Sequence, residues 1–136
     1  MILLDTNVLS EAMRVEPDGR VMRWLDGHPP SVLFLSAVTV DEILFGIEIL
    51  PSGRKRARLG RAFSQIVDGF SERIVPFDAQ AAAESARLRA GRRRAGSPMS
   101  LADSQIAGTA SSRGYSLATL NTSDFRDLGL SVLEPR

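Results

Sequence analysis

Met1-Ile2-Leu3-Leu4-Asp5-Thr6-Asn7-Val8-Leu9 opens the chain, and its reading decides the fold class. Ile2, Leu3 and Leu4 form the short apolar run of a buried strand, and it stops on a carboxylate, Asp5. Thr6 or Asn7 can then cap a helix that carries Val8, Leu9 and Met13. The first unit is therefore strand, acid, helix, and the same alternation continues outward. A helix is predicted around Val21 to Leu25, stopped by Gly27-His28-Pro29-Pro30, followed by a buried strand over Val32 to Leu35. Thr39 to Leu50 has helical spacing, with Val40, Ile43, Leu44 and Ile47 on one stripe, and Pro51-Ser52-Gly53 ends it. Leu59, Phe63, Ile66, Val67 and Phe70 mark a strongly amphipathic helix. Ile74 to Phe77 reads as a third strand, and Asp78 caps an alanine-rich helix that runs to about Arg93 and breaks at Ala95 to Pro98. A helix from Ser100 to Arg113 ends on Gly114, suited to the left-handed position after a helix, and a strand follows over Tyr115 to Leu120. A last apolar run covers Leu130 to Leu133. Strands alternating with helices imply an α/β sandwich around a parallel sheet, in which ligands bind beyond the carboxyl ends of the strands.

The chain has 136 residues, 43% of them hydrophobic, which suits one domain over 1–136 that buries roughly two-thirds of its unfolded surface. It has no cysteine, which excludes disulfides, zinc–thiolate sites and thiol nucleophiles and makes a reducing cytoplasm the expected compartment. No basic segment precedes the first apolar run, and no apolar stretch approaches the ~20 residues that span a bilayer, so no membrane association is expected. The net charge of +1 says little, but basic residues cluster over Arg54 to Arg61 and over Arg87 to Arg94. Such runs are usually solvated helix faces; they also suit a polyanion.

Four carboxylates stand out. Asp5 follows the first strand, Glu42 lies in the helix after the second, Asp103 in the helix before the fourth, and Asp124 after the fourth. In a doubly wound sheet the ends of the first and fourth strands can be neighbours, so these acids can share a cleft. Neighbouring carboxylates raise each other's pKa and call for a cation, and oxygen-only ligands favour Mg²⁺ or Mn²⁺. Capping offers a competing account. Thr39-Val40-Asp41-Glu42 and Ser100-Leu101-Ala102-Asp103 both place an acid three residues after a hydroxyl, and Asp5 and Asp124 suit turns or caps. Asp103, however, shares a stripe with Ile106, Ala107 and Ala110, and a carboxylate on a buried face must be paired, protonated or bound to metal. Glu42 points away from its helix's apolar stripe, toward Phe45 and Ile49. His28, the single histidine, sits in a turn, and Ser10, Ser36 and Ser100 read as caps or polar surface. No phosphate-loop or dinucleotide fingerprint is present.

Asp5-Thr6-Asn7-Val8-Leu9, Thr39-Val40-Asp41-Glu42-Ile43, Ser100 to Ala107 and Asn121-Thr122-Ser123-Asp124-Phe125 together resemble the four acidic motifs of PIN-domain proteins, in order, and the closing Gly129 to Pro135 resembles the VapC and FitB branch. The resemblance implies a three-layer α/β/α domain with a central parallel sheet, whose acidic cleft binds Mg²⁺ or Mn²⁺ and hydrolyses RNA phosphodiesters. On the matching positions, Asp5, Glu42, Asp103 and Asp124 would be catalytic, with Asp5 and Asp103 as metal ligands and Thr6 and Asn121 as polar supports. It also implies the toxin of a toxin–antitoxin pair, with an RNA substrate, a DNA-binding antitoxin partner, and a homodimer or toxin–antitoxin hetero-oligomer. Arginines of the two clusters could then track the RNA backbone. The apolar helix after Thr39 and the amphipathic helix that follows would form the antitoxin groove. Two rivals remain: a catalytically idle nucleic-acid-binding module on the same fold, which intact acids oppose, and a phospho-acceptor domain. The latter is opposed by Asp5-Thr6-Asn7 and by the only lysine, Lys55, lying in a basic run.

Overall fold

The computed structural model describes residues 1–136. Five strands, β1 (Ile2–Leu4), β2 (Leu33–Ser36), β3 (Ile74–Val75), β4 (Ser116–Ala118) and β5 (Val132–Leu133), lie in the spatial order β3-β2-β1-β4-β5. Every pairing is parallel. The helices are α1 (Thr6–Ala12), α2 (Gly19–Asp26), α3 (Ala37–Glu48), α4 (Arg54–Gly69), α5 (Ala79–Arg94) and α6 (Leu101–Arg113), with short 3-10 turns at Pro30–Val32 and Thr122–Phe125.

Side-chain alternation along each strand feeds two cores. Leu4, Leu33, Leu35 and Ala118 face one side, where Val8, Leu9, Val21, Ile43, Ile47 and Phe63 of α1 to α4 close over them. Leu3, Val75 and Leu117 face the other, under Leu88 of α5 and Ile106, Ala107 and Ala110 of α6. The result is the three-layer α/β/α sandwich with a central parallel sheet that the sequence implies. No helix is long and apolar enough to cross a membrane.

Several local boundaries differ from the sequence reading. The helix expected from Thr39 starts at Ala37, because Ser36 at the end of β2 caps it by accepting the Thr39 N–H at 2.9 Å. Leu44, placed on the core stripe by periodicity, is 44% exposed; Thr39 joins Ile43 and Ile47 on the buried side instead. β3 stops before Pro76, which has no N–H to pair. The run Leu130 to Leu133 contributes a fifth strand beside β4. As expected, Gly114 ends α6 in the left-handed region, at φ 68°.

Helices α5 and α6 pack unusually closely. A Cβ added to Gly108 would lie 2.5 Å from the Ser85 nitrogen and 2.7 Å from the Ala81 carbonyl oxygen, so only glycine permits this approach. The contact sits just over one turn beyond Asp103 on α6 and sets where that helix lies.

Candidate active site

The strand order reverses at β1, which has β2 on one side and β4 on the other. Such a reversal leaves a crevice beyond the carboxyl ends of the two diverging strands. Asp5 is the first residue after β1, and its N–H donates to the Ala118 carbonyl of β4 at 2.8 Å. The residue that caps α1 is Asp5 itself, not Thr6 or Asn7: Oδ1 accepts the Thr6 N–H at 2.8 Å. Its other oxygen, Oδ2, accepts the Thr119 hydroxyl at 2.8 Å. Thr119 in turn accepts from the Asn7 side-chain amide at 3.3 Å and from the Asn121 N–H at 3.0 Å, while Asn7 Oδ1 accepts the Leu120 N–H at 3.2 Å. Asp5 is only 5% exposed, so these bonds fix a desolvated carboxyl.

Glu42 is positioned by a row of hydroxyls. The Thr6 hydroxyl donates to Glu42 Oε1 at 2.7 Å and stands 3.0 Å from Thr39 Oγ1, which accepts the Ser36 hydroxyl at 3.1 Å. Since each hydroxyl has one proton, Thr39 must donate to Thr6, and the row runs in one direction from Ser36 to Glu42. The capping box read from Thr39 and Glu42 is absent in this geometry: Ser36 caps α3, which frees Glu42 from that role.

Asp103 enters from the opposite wall. Ser100 caps α6 by accepting the Asp103 N–H at 3.1 Å, so the predicted hydroxyl cap is present, while the Asp103 side chain is half-buried at the mouth of the apolar stripe of Ile106, Ala107 and Ala110. Asp124, on the exposed 3-10 turn Thr122–Phe125, completes the rim. All six residues singled out in the sequence, Asp5, Thr6, Glu42, Asp103, Asn121 and Asp124, line one open recess.

Burial pushes the Asp5 carboxyl up to about 6, and the charges of Asp103 and Glu42 add to that rise against the opposing bonds from Thr119 and Thr6. Burial also raises Asp103, helped by Asp124 and Glu42 and opposed by Ser100 and Arg92. Mutual repulsion, the cause expected from sequence, is thus second to desolvation. Desolvated carboxyls placed this close to other acids are relieved by a proton or by a cation. No three of its acids stand in an arrangement that encloses an ion on their own. The donor set suits Mg²⁺ or Mn²⁺, because a hard cation of that size is commonly bound through one or two carboxylates and keeps several waters.

Sequence reasoning missed Thr119, Thr39 and Asn7, together with Ser10, Glu11 and Arg14, which line the recess at the end of α1. Asn7 lies within the quoted first motif, and a threonine closing the apolar strand Leu117-Ala118 was the available signal for Thr119. His28 is a turn residue, as read: the Trp24 carbonyl accepts from its Nδ1 at 2.7 Å, and its ring packs on Trp24.

The model of the PIN domain family matches residues 2–129. Toxin FitB of Neisseria gonorrhoeae is 39% identical over 136 residues, covering 99% of this chain and 98% of FitB. A VapC ribonuclease of Sinorhizobium fredii is 38% identical, covering 99% of this chain and 97% of that protein. Among solved structures, FitAB bound to a DNA fragment is similar with a TM-score of 0.91 at 39% identity, covering 99% of this chain and 95% of that chain.

Proposed function

The chain belongs to the PIN-domain family, and on that premise we propose that it is the ribonuclease toxin of a toxin–antitoxin pair, acting through a Mg²⁺ or Mn²⁺ ion held by Asp5 and Asp103. Residues 1–136 act as one PIN-like unit in this reading. The observation that carries it is Asp5: a carboxyl buried at the switch point of the sheet, protonated up to about pH 6, and facing three further acids has no structural partner cation. The FitB and VapC relatives, named toxin and ribonuclease, support the same reading.

A divalent ion bound here supplies a water of lowered pKa and positive charge for the phosphodiester oxygens. The protein does the rest. Thr119 and the Thr6 N–H each hold one oxygen of Asp5, so the carboxyl keeps one orientation at the recess. Thr6 holds Glu42 by Oε1, leaving Oε2 to take the proton of the attacking water. In the same step the water oxygen bonds phosphorus, the bond from phosphorus to the ribose oxygen breaks, and that oxygen takes a proton from solvent. Arg14 at the rim, with Lys55 and Arg58 in the adjoining recess, gives the backbone a basic track beside the acids.

The test is cleavage of single-stranded RNA by the purified protein, with and without chelator, beside calorimetric titration with Mn²⁺. Cleavage that survives chelation, or no binding at millimolar Mn²⁺, overturns the metal-dependent reading. The idle-module alternative requires binding of RNA without cleavage.

The antitoxin partner is assigned to α3 and α4. Phe45 and Ile49 of α3 are 63% and 66% exposed, and a recess of about 280 Å³ between α1, α3 and α4 runs from Met13, Ile47 and Leu59 to Thr6 and Glu42. An antitoxin segment covering the apolar strip can send an arginine or lysine along this recess to the acids and so inhibit cleavage. The toxin itself is assigned a symmetric dimer. Phe45→Glu and Ile49→Glu should weaken antitoxin binding; unchanged affinity and unchanged mass by light scattering in folded variants refute this surface.

A further inference from the structure

Arg92 belongs by sequence to the basic cluster of α5, where contact with an RNA backbone is the expected role. Its guanidinium is occupied otherwise. Nε donates to the Ser97 carbonyl at 2.7 Å and Nη2 to Ser97 Oγ at 3.2 Å, while Nη1 donates to the carbonyls of Asp124 at 3.0 Å and Arg126 at 3.3 Å. One side chain thus ties the loop after α5 to the turn that carries the fourth acid. Its cluster neighbour Arg87 pairs with Glu84 at 2.8 Å, and Arg93 and Arg94 are exposed.

We propose that Arg92 is a positioning residue for RNA cleavage, holding Asp124 at the rim of the acidic recess through the main chain of its turn. This rests on the proposed function, in which Asp124 is one of the working acids. Asp124 is exposed, and its main chain ties it into the turn: its N–H donates to the Asn121 carbonyl at 3.1 Å and its carbonyl accepts from Arg92. Where its carboxylate stands therefore follows from where the turn stands. The turn is gripped from two sides. Phe125, 1% exposed, plugs into the second core, and Arg92 holds the carbonyls on either side of that residue. The chain then turns away through Asp127 at φ 62°, in the left-handed region that aspartate adopts more readily than most non-glycine residues. A planar fork of five N–H groups can serve four acceptors in three directions; an ammonium cannot reproduce that pattern.

Arg92 in this role also divides the labour of the two basic clusters. Lys55 and Arg58 of the Arg54 to Arg61 cluster line a recess that meets the acidic one at Ser10 and Arg14, with Arg58 also donating to the Met13 carbonyl at 3.3 Å, whereas the Arg87 to Arg94 cluster contributes its most engaged member to architecture.

The test compares Arg92→Ala, Arg92→Gln and Arg92→Lys with Asp124→Asn and with the double variant Arg92→Ala/Asp124→Asn. It reads RNA cleavage at two salt concentrations and amide hydrogen exchange across residues 121–127. Arg92→Ala should lower kcat roughly ten- to a hundredfold, the scale of a small misplacement near the chemistry, with KM changed far less. Lysine should not rescue it, and glutamine, which keeps two N–H donors and replaces alanine in the comparison if that variant is unfolded, should recover part of it. The double variant should be no worse than Asp124→Asn alone, and exchange at Asp124 and Arg126 should accelerate while α6 stays protected. A loss confined to KM that grows with salt makes Arg92 an RNA contact and overturns the proposal, as do additive losses or unchanged exchange. Full cleavage by Asp124→Asn instead sinks the fourth acid of the parent reading, and a kcat loss in Arg92→Ala alongside it overturns the route through Asp124.

Discussion

The two walls of the cleft are built by different means. Asp5 and Glu42 stand on a wall where each carboxylate is gripped by named donors: Thr119 and the Thr6 N–H for one, the Thr6 hydroxyl for the other. Asp103 and Asp124 stand on a wall set by backbone and packing, through the Gly108 contact under α6 and the tied turn of residues 122–125. One wall is fixed atom by atom; the other is fixed as a body. The first should respond to changes of single hydroxyls, the second to changes of shape.

The sharpest way to break the comparison is to remove the acids. Asp5→Asn and Asp103→Asn should each abolish RNA cleavage by more than the ten- to hundredfold usually lost when only a partner of a ligand is removed. Circular dichroism should show both variants folded. Wild-type rates in both, with metal present, would make the acids mere caps.

Next comes pH. Asp5 has its folded pKa raised from 3.8 to about 6, so the folded state holds the proton more tightly than the unfolded chain. That stability is fully present below about pH 4 and is lost as pH rises through 6, a cost of about 3 kcal/mol to the metal-free fold from this group. Metal-free unfolding followed by urea should therefore show falling stability between pH 4 and 7. Asp5→Asn should flatten that slope, and Mn²⁺ should oppose it above pH 6 by mass action. A wild-type slope that Asp5→Asn leaves intact assigns the titration elsewhere.

Single hydroxyls test the first wall. Thr119→Val removes the donor to Asp5 and leaves the Asn7 amide and Asn121 N–H without their acceptor, and should weaken Mn²⁺ binding roughly ten- to a hundredfold. Its Asp5 should also titrate higher than in the wild type, measured by carboxyl-carbon NMR. Equal affinity and equal titration would show that burial alone holds Asp5.

The second wall is tested by shape. Gly108→Ala forces α5 and α6 apart at main-chain atoms and should cost about 1–3 kcal/mol of stability, the usual range for overpacking. Because α6 carries Asp103, cleavage should fall beyond what the loss of folded protein explains. A variant as stable and as active as the wild type would show that the helices can separate freely.

What could be read from sequence follows the same division. The acids, their order and the strand–helix alternation are local patterns, and each survives in the structure. Thr39 and Glu42 illustrate the limit: Thr39-Val40-Asp41-Glu42 is the better local cap pattern, yet β2 ends at Ser36 and that residue caps α3. Asp5, Thr6 and Asn7 are all competent caps in the sequence, and only the end of β1 at Leu4 selects Asp5. The strand end marks Thr119 as a polar position, but its partner, like those of Arg92, is hidden for another reason. Their roles depend on β4 lying beside β1 and on the 122–125 turn lying beside the end of α5, which are facts of pairing between distant segments.

The bond between Asp5 and Thr119 joins residues 114 positions apart. At a synthesis rate of ~5–20 residues per second, roughly 6 to 23 s separate the making of the first acid from the making of the hydroxyl that orients it. Through that interval β1 lacks its β4 neighbour, and Asp124 has not been made. A nascent or prematurely ended chain thus exposes carboxylates without a shaped cleft. Order of synthesis makes the complete site one of the last features of the fold to come into being.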